Sequence, residues 1–213
     1  MLLIENSLKD YVAKVASGDP TPGGGSVAAL AGSLGAALTV MVGNLTIGRK
    51  MYIELDDETK KEIDGAFNEI EKSIQVLNDI VDEDTKAFDK VMEALKLPKE
   101  TEEQKAVRSQ AIQEGYKVAL EVPLRCAEEC FKVLKLQKVF AKYGNVNAIT
   151  DVGVGVLLAA TGLEGAIFNV RINLNSIKDL EFKEKIQNKI NSLMDKGMKL
   201  KEESLKIVYE RLG

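Results

Sequence analysis

Ten positions of this chain, Ile63, Phe67, Ile70, Ile74, Leu77, Val81, Asp84, Phe88, Val91 and Leu95, follow one another at alternating steps of four and three. That spacing places all ten on one face of an α-helix, and nine of them are apolar. The acids Asp56, Asp57 and Glu58 mark its start, where the positive end of the helix dipole favours them, and Pro98 stops it. A helix from Asp57 to Leu95 would be about 58 Å long at 1.5 Å per residue. A compact chain of this size spans roughly 34 Å, twice its expected radius of gyration. The pattern therefore predicts an elongated helical bundle, or one that gains compactness by pairing with another copy.

The remaining segments read as helix too. Leu8, Tyr11, Val12 and Val15 recur at helical spacing within Ser7 to Ser17, and a second helix runs from Ser26 to about Ile47, ended by Gly48. Thr101 and Gln104 form a capping box for a fourth helix, which Pro123 is expected to kink or divide. Gly144 closes that region. Asn147 can cap a fifth helix reaching about Leu174, and a charged amphipathic helix runs from Leu180 to Leu212. No stretch alternates at period two between turn signals. The expected fold class is all-α, a single domain over residues 1–213.

The second and fifth helices are apolar and rich in small residues. Val27 to Val42 has only 16 residues without charge, short of the roughly 20 that span a bilayer, and Asp151, Glu164 and Arg171 interrupt the fifth. Small residues at Ala28, Gly32, Gly35 and Ala36, and at Gly153, Gly155, Gly162 and Gly165, instead permit close helix crossings inside a bundle. Both helices read as buried core rather than membrane spans.

Composition removes several chemistries. A net charge of −4 without a basic stripe argues against a broad nucleic-acid surface. The chain has no histidine, which excludes Ser-His and Cys-His catalysis and histidine-based metal motifs. Cys126 and Cys130 alone cannot build a zinc site, so they read as packed, reduced thiols and no metal is expected. The first residues lack a basic segment followed by a long apolar core, so nothing points to export and a cytoplasmic location is expected.

Two features carry chemistry. The turn Pro20-Thr21-Pro22-Gly23-Gly24-Gly25-Ser26 runs into the second helix, where freed backbone N–H groups can approach an anion or a polar carbonyl at the positive end of a dipole. Gly23, Gly25 and Ala28 also fit a loose dinucleotide fingerprint, but the upstream strand and the later acid that this motif needs are missing. A ligand-binding turn and a purely structural loop remain. The second feature is Asp84, the one polar member of the long stripe. Buried without a partner it would carry a raised pKa and a stability cost. It is either chemically used or a register-fixing polar residue in a helical seam.

Pro20 to Ala29, Met41-Val42-Gly43, Thr46 to Lys50, Val81 to Phe88, Leu97-Pro98-Lys99 and Phe168 to Leu174 together resemble the formiminotetrahydrofolate cyclodeaminase family over essentially the whole chain. That family includes the cyclodeaminase half of the bifunctional formiminotransferase-cyclodeaminase and the methenyltetrahydrofolate cyclohydrolase of the bacterial serine cycle. The resemblance implies an all-helical, dimerising subunit with a folate cleft and a catalytic aspartate at Asp84. Its substrate would be a tetrahydrofolate derivative, with or without a polyglutamate tail, and it would need no further cofactor.

Nothing precedes the domain in this sequence, so formimino-folate is expected to come from a separate formiminotransferase, unless methenyl-folate is the true substrate. Pro22, Gly23, Gly24, Gly25 and Ser26 are expected at the ligand. Arg49 and Lys50 are candidates for the glutamate tail, against a role as dipole and surface charges. Asn147, Asp151, Asn169 and Asn173 are candidate polar groups of the cleft, with helix capping the rival for Asn147 and interhelical hydrogen bonding the rival for Asn169 and Asn173. Against the enzyme stands a noncatalytic helical assembly module in which Asp84 sets register only.

Overall fold

Two apolar helices, α2 (Gly24–Asn44) and α7 (Ile149–Asn175), form the centre of the molecule and pack on each other along their lengths. They run antiparallel: Gly35 lies against Gly155, Ala28 against Gly162, and Gly24 near Asn169. The crossing is backbone on backbone. A Cβ at Gly35 would sit 2.6 Å from the Gly155 carbonyl oxygen, and one at Gly162 2.8 Å from that of Ala28. Only the small residues seen in the sequence allow so close an approach. The Cys130 thiol fills the notch beside Gly32 and Gly162, and Cys126 and Cys130 are both free and buried.

The computed structural model describes residues 2–213, and every regular element among them is helical. Around the central pair lie α1 (Leu8–Val15), α3 (Lys50–Ile53), α4 (Asp57–Lys86), α5 (Asp89–Leu95), α6 (Glu102–Tyr143) and α8 (Leu180–Leu212). α4 packs on α2, α6 on α7, and α8 on α6 and α7. The 42 residues of α6 span about 63 Å, so the elongation lies in α6 rather than in the helix of the long stripe. Short-range signals act as expected. Ser7, Asp56, Thr101 and Asp179 each cap a helix through a side-chain oxygen, and Gly48 adopts a left-handed φ of 75° in the turn after α2.

Three expectations need correction. The stripe helix is not continuous to Leu95: its hydrogen-bond ladder breaks at Ala87 and Phe88, directly after the turn that carries Asp84. Ala87 N–H donates to the Asp84 carbonyl at 3.3 Å in a three-residue step, and both residues keep right-handed helical backbone angles. The result is a kink that lays α5 on α6, where Gly115 admits Val91 at van der Waals distance. Packing overrides periodicity here. Val91 and Ala94 are buried beyond the kink, while Phe88 and Leu95 stay about two-fifths exposed.

Pro123 does not divide its helix, and α6 continues through it. Proline at 123 leaves the Ala119 carbonyl without its usual donor. Asn173 on α7 supplies one, its Nδ2 lying 3.4 Å from that oxygen. Finally, Asn147 does not cap α7. Asn145 accepts from the Asn147 N–H at 3.0 Å in a short 3₁₀ turn over Val146–Ala148, and α7 begins at Ile149. The chain has to turn there before it can re-enter the bundle, and the residue two positions earlier holds the turn.

Length and composition alone would let α2 and the Val146–Asn175 stretch cross a membrane, but 56% of each apolar window is buried inside the bundle. Their outer faces are another matter. Val27, Leu34 and Met41, at seven-residue spacing on one face of α2, and Val154, Leu157, Phe168 and Ile172 on α7 remain exposed, uncovered by any element among the described residues.

Candidate functional site

The first turn of α2 meets the last turn of α4 so tightly that a side chain at Gly25 would collide with the Asp84 carboxylate. Having no Cβ there lets the acid dock on the helix start, where Ser26 N–H donates to Asp84 Oδ2 at 2.9 Å. The positive end of the α2 dipole adds to this bond. Ser26 itself turns inward. Its hydroxyl donates to the Val81 carbonyl at 2.9 Å and lies 3.0 Å from the Tyr11 hydroxyl, which ties α1, α2 and α4 together beneath the acid.

Burial pushes the Asp84 pKa upward, and the Ser26 N–H pulls against it. A carboxyl poised in this way can hold or release a proton closer to neutrality than an exposed one. Desolvation also raises the Tyr11 hydroxyl, the Ser26 hydrogen bond opposes it, and the charges of Asp84 and Asp82 add to the rise. That phenol stays protonated and acts as a donor.

Asp84 opens into a cavity of about 420 Å³, a volume suited to a small organic ligand. Gly23, Gly24 and Gly25 form one wall, Asn169 and Asn173 of α7 another, and Phe88 and Tyr116 a third. The two aromatic rings meet edge to face, 6.0 Å between centroids. Pro20, Ala87, Pro123 and Ile172 complete an apolar lining around few polar groups. The Gly24 and Gly25 N–H groups, in the first turn of α2, have no acceptor within the helix.

Of the residues expected at the ligand, the structure gathers Gly23, Gly24, Gly25, Asp84, Asn169 and Asn173 around this cavity. Ser26 supports the acid from behind, and Pro22, buried after a cis peptide bond with Thr21, lines an adjoining depression instead. Asn169 Nδ2 donates to the Gly165 carbonyl one turn back at 2.9 Å, an intrahelical bond, whereas Asn173 makes the interhelical one described above. Arg49, Lys50, Asn147 and Asp151 lie elsewhere. Arg49 and Lys50 follow the C-terminal end of α2, about 30 Å along that helix from Gly25. Lys50 sits 3.9 Å from Glu54, with its side chain almost fully exposed. Asn147 is on the neighbouring turn, and Asp151 is in the first turn of α7.

Sequence reasoning passed over Tyr116, Pro123, Ile172, Asn175 and Ser176 as cavity residues. Tyr116 carried a usable signal, since it falls two helical turns before Pro123 on the same face of α6. Asn175 and Ser176 carried none, because their place depends on where α7 ends.

The model of the formiminotransferase-cyclodeaminase family matches residues 7–192. The chain is 38% identical over 207 residues to the methenyltetrahydrofolate cyclohydrolase of Methylorubrum extorquens, covering 97% of this chain and 98% of that protein. It is 39% identical over 195 residues to the formimidoyltransferase-cyclodeaminase of Mus musculus, of which it spans 35%. The crystal structure of formiminotetrahydrofolate cyclodeaminase from Thermotoga maritima superposes with a TM-score of 0.84 at 26% identity, over 97% of each chain. Fold and sequence agree, and the chain belongs to the formiminotransferase-cyclodeaminase family of folate one-carbon enzymes.

Proposed function

We propose that this chain converts 5-formiminotetrahydrofolate to 5,10-methenyltetrahydrofolate and ammonia, with Asp84 as the acid–base catalyst. The observation that carries the proposal is a half-buried carboxylate of raised pKa, held by one backbone N–H and facing a largely apolar cavity. N10 of the folate attacks the formimino carbon, and a C–N bond closes the five-membered ring. With the formimino nitrogen entering already protonated, as an amidinium, Asp84 takes the N10 proton and delivers it to the departing nitrogen, so that the old C–N bond breaks and ammonia leaves the methenyl cation. The carboxylate charge also stabilises the cationic intermediate. No group beyond the substrate is needed for these steps.

A second reading is favoured by the end-to-end match to a methenyltetrahydrofolate cyclohydrolase. In that reaction Asp84 deprotonates the water that adds to the methenyl carbon, and the ring opens to 10-formyltetrahydrofolate. Both substrates present the same carbon to the same acid. Assays of the purified chain on the formimino and methenyl compounds, following ammonia and the methenyl chromophore, rank the two. Equal rates for wild type and Asp84→Asn would end the catalytic assignment of Asp84, and a wild type that turns over neither compound would leave a noncatalytic helical assembly module.

The exposed apolar face of α2 and α7 is proposed to pair with a second copy. Its few charges include Glu164 and Arg171, of opposite sign, which suits a self-complementary two-fold interface. Light scattering that returns a monomer at micromolar concentration would reject the pairing.

A further inference from the structure

Helix α1 sends a single buried side chain into the bundle. Tyr11 is 6% exposed, whereas Leu8 and Val12 on the same helix are 76% and 64% exposed, so apolar burial does little else to seat α1. The Tyr11 ring reaches the junction of α2 and α4, where its hydroxyl lies 3.0 Å from Ser26 Oγ. The direction of that bond follows from its neighbour. The Ser26 hydroxyl gives its one proton to the Val81 carbonyl at 2.9 Å, so Ser26 Oγ accepts and the Tyr11 O–H donates. Phenylalanine would fill the same space. The hydroxyl is the part that packing does not need, and it is desolvated where it stands, a cost offset only by its hydrogen bond.

The partner it selects is the residue that holds the acid. Ser26 N–H, at 2.9 Å, is the one hydrogen-bond donor to Asp84 among the described residues. A second tie fixes the same stretch of chain to α4: Asp82, two residues before Asp84, accepts Leu3 N–H at 2.5 Å and Ile4 N–H at 3.3 Å. Residues 3–11 are thus pinned at two places around the end of α4.

No charge takes over this task. From α2 Asp84 meets three glycines and Ser26, from α7 the neutral Asn169 and Asn173, and from α6 Tyr116, and no cation among the described residues lines the cavity. Of the charged groups beside it on α4, Asp82 is bound to the N-terminal amides, Glu83 is paired with Arg125 of α6, and Lys86 faces the adjoining depression. Neutral dipoles alone hold the ionised carboxylate, and dipoles in series polarise one another.

We infer that Tyr11 is a positioning residue for Asp84: through Ser26 its hydroxyl sets the start of α2 against the acid and favours the ionised, proton-accepting carboxylate. The inference rests on the catalytic reading of Asp84 above and extends it to a side chain that touches no substrate. Burial raises the Asp84 pKa and the Ser26 N–H lowers it, and Tyr11 strengthens the lowering partner.

Tyr11→Phe keeps the ring and removes the donor. Ionisation of Asp84 is read directly by carbon-13 NMR of the aspartate carboxyl groups, its signal being the one missing in Asp84→Asn. In Tyr11→Phe its midpoint should move upward by about 0.3 to 1 pH unit, the worth of one hydrogen bond. The acid limb of the kcat profile on the formimino compound should move with it, so that below the midpoint kcat falls about two- to tenfold. Ser26→Ala, which breaks the same link from its other end, should move the midpoint the same way by at least as much, and adding Tyr11→Phe to it should change nothing further. An unmoved midpoint in Tyr11→Phe, a fall in kcat without a moved midpoint, or additive shifts in the double variant each overturn the inference. A moved midpoint in a protein whose wild type turns over no folate overturns the reaction instead and leaves the positioning of the carboxylate standing.

Discussion

Two polar side chains sit in the helical seams against α2, and they have opposite surroundings. Gln137, fully buried on α6, donates to the Gly35 carbonyl at 3.2 Å and to the Thr39 hydroxyl at 2.9 Å. Thr39 in turn donates to the Gly35 carbonyl at 2.9 Å, and Gln137 Oε1 has no partner. It does not line the Asp84 cavity. Asp84, one seam away, is ionisable, held by a single N–H, and open to a space a ligand can fill. A neutral amide closed into backbone fixes how α6 sits on α2. A charged group left mostly unpaired at a cavity wall destabilises the fold and gains by meeting a substrate.

Substitutions at the two sites should therefore separate activity from stability. The largest effect is expected for Asp84→Asn, which keeps the shape but loses the proton: kcat should fall by roughly 10²- to 10⁴-fold in the ammonia-release assay. Stability should move the other way. A carboxyl whose folded pKa is raised binds its proton more tightly in the native state, so wild type loses stability as pH climbs from the ordinary aspartate range through the raised value. Thermal melts of Asp84→Asn across that window should lack this loss, and the variant should be at least as stable as wild type at pH 7. A variant that melts well below wild type at neutral pH would give Asp84 the structural role of Gln137.

Gly25→Ala comes next, because its methyl group and the Asp84 carboxylate need the same space. Overpacking of this kind costs about 1–3 kcal/mol, of which the better helix propensity of alanine returns at most about 1. Denaturant titration should show the net loss, and activity should fall with it as the acid is displaced. Full activity would mean that Asp84 does not need its seat on α2.

Asn173→Ala should cost about 1–3 kcal/mol, the penalty of stranding the buried Ala119 carbonyl that Pro123 leaves without a donor. In a Pro123→Ala background the restored helical N–H takes over, so a double-mutant cycle should show coupling of about 0.5 kcal/mol or more. Additive effects would disprove the compensation. The smallest effect is expected for Gln137→Met, within about 1 kcal/mol in stability and neutral in kcat, because it removes an orphaned oxygen together with its donor.

Much of this was legible in the residues themselves. The caps at Ser7, Asp56 and Thr101, the Leu180–Leu212 helix and the small-residue crossing of α2 and α7 follow from short-range sterics and hydrogen bonding. Asp84 stood out because periodicity turned a carboxylate inward. Its companions were harder. Asn169 and Asn173 were found on one helix face, but only the fold shows that the first bonds within α7 while the second repairs α6. The break after Asp84 left no mark in the stripe, since Phe88 and Leu95 are as apolar as the positions they continue.

Sequence determined the helical class, the capped helix starts at Ser7, Asp56 and Thr101 and the identity of the odd acid, because each depends on residues within a few positions of one another. Tertiary structure alone decided that α5 bends onto α6, that Gly25 makes room for Asp84, and that Tyr11 reaches Ser26 beneath that acid. These outcomes depend on which surfaces meet across the bundle, and contacts between residues far apart in the chain leave no periodic trace along it.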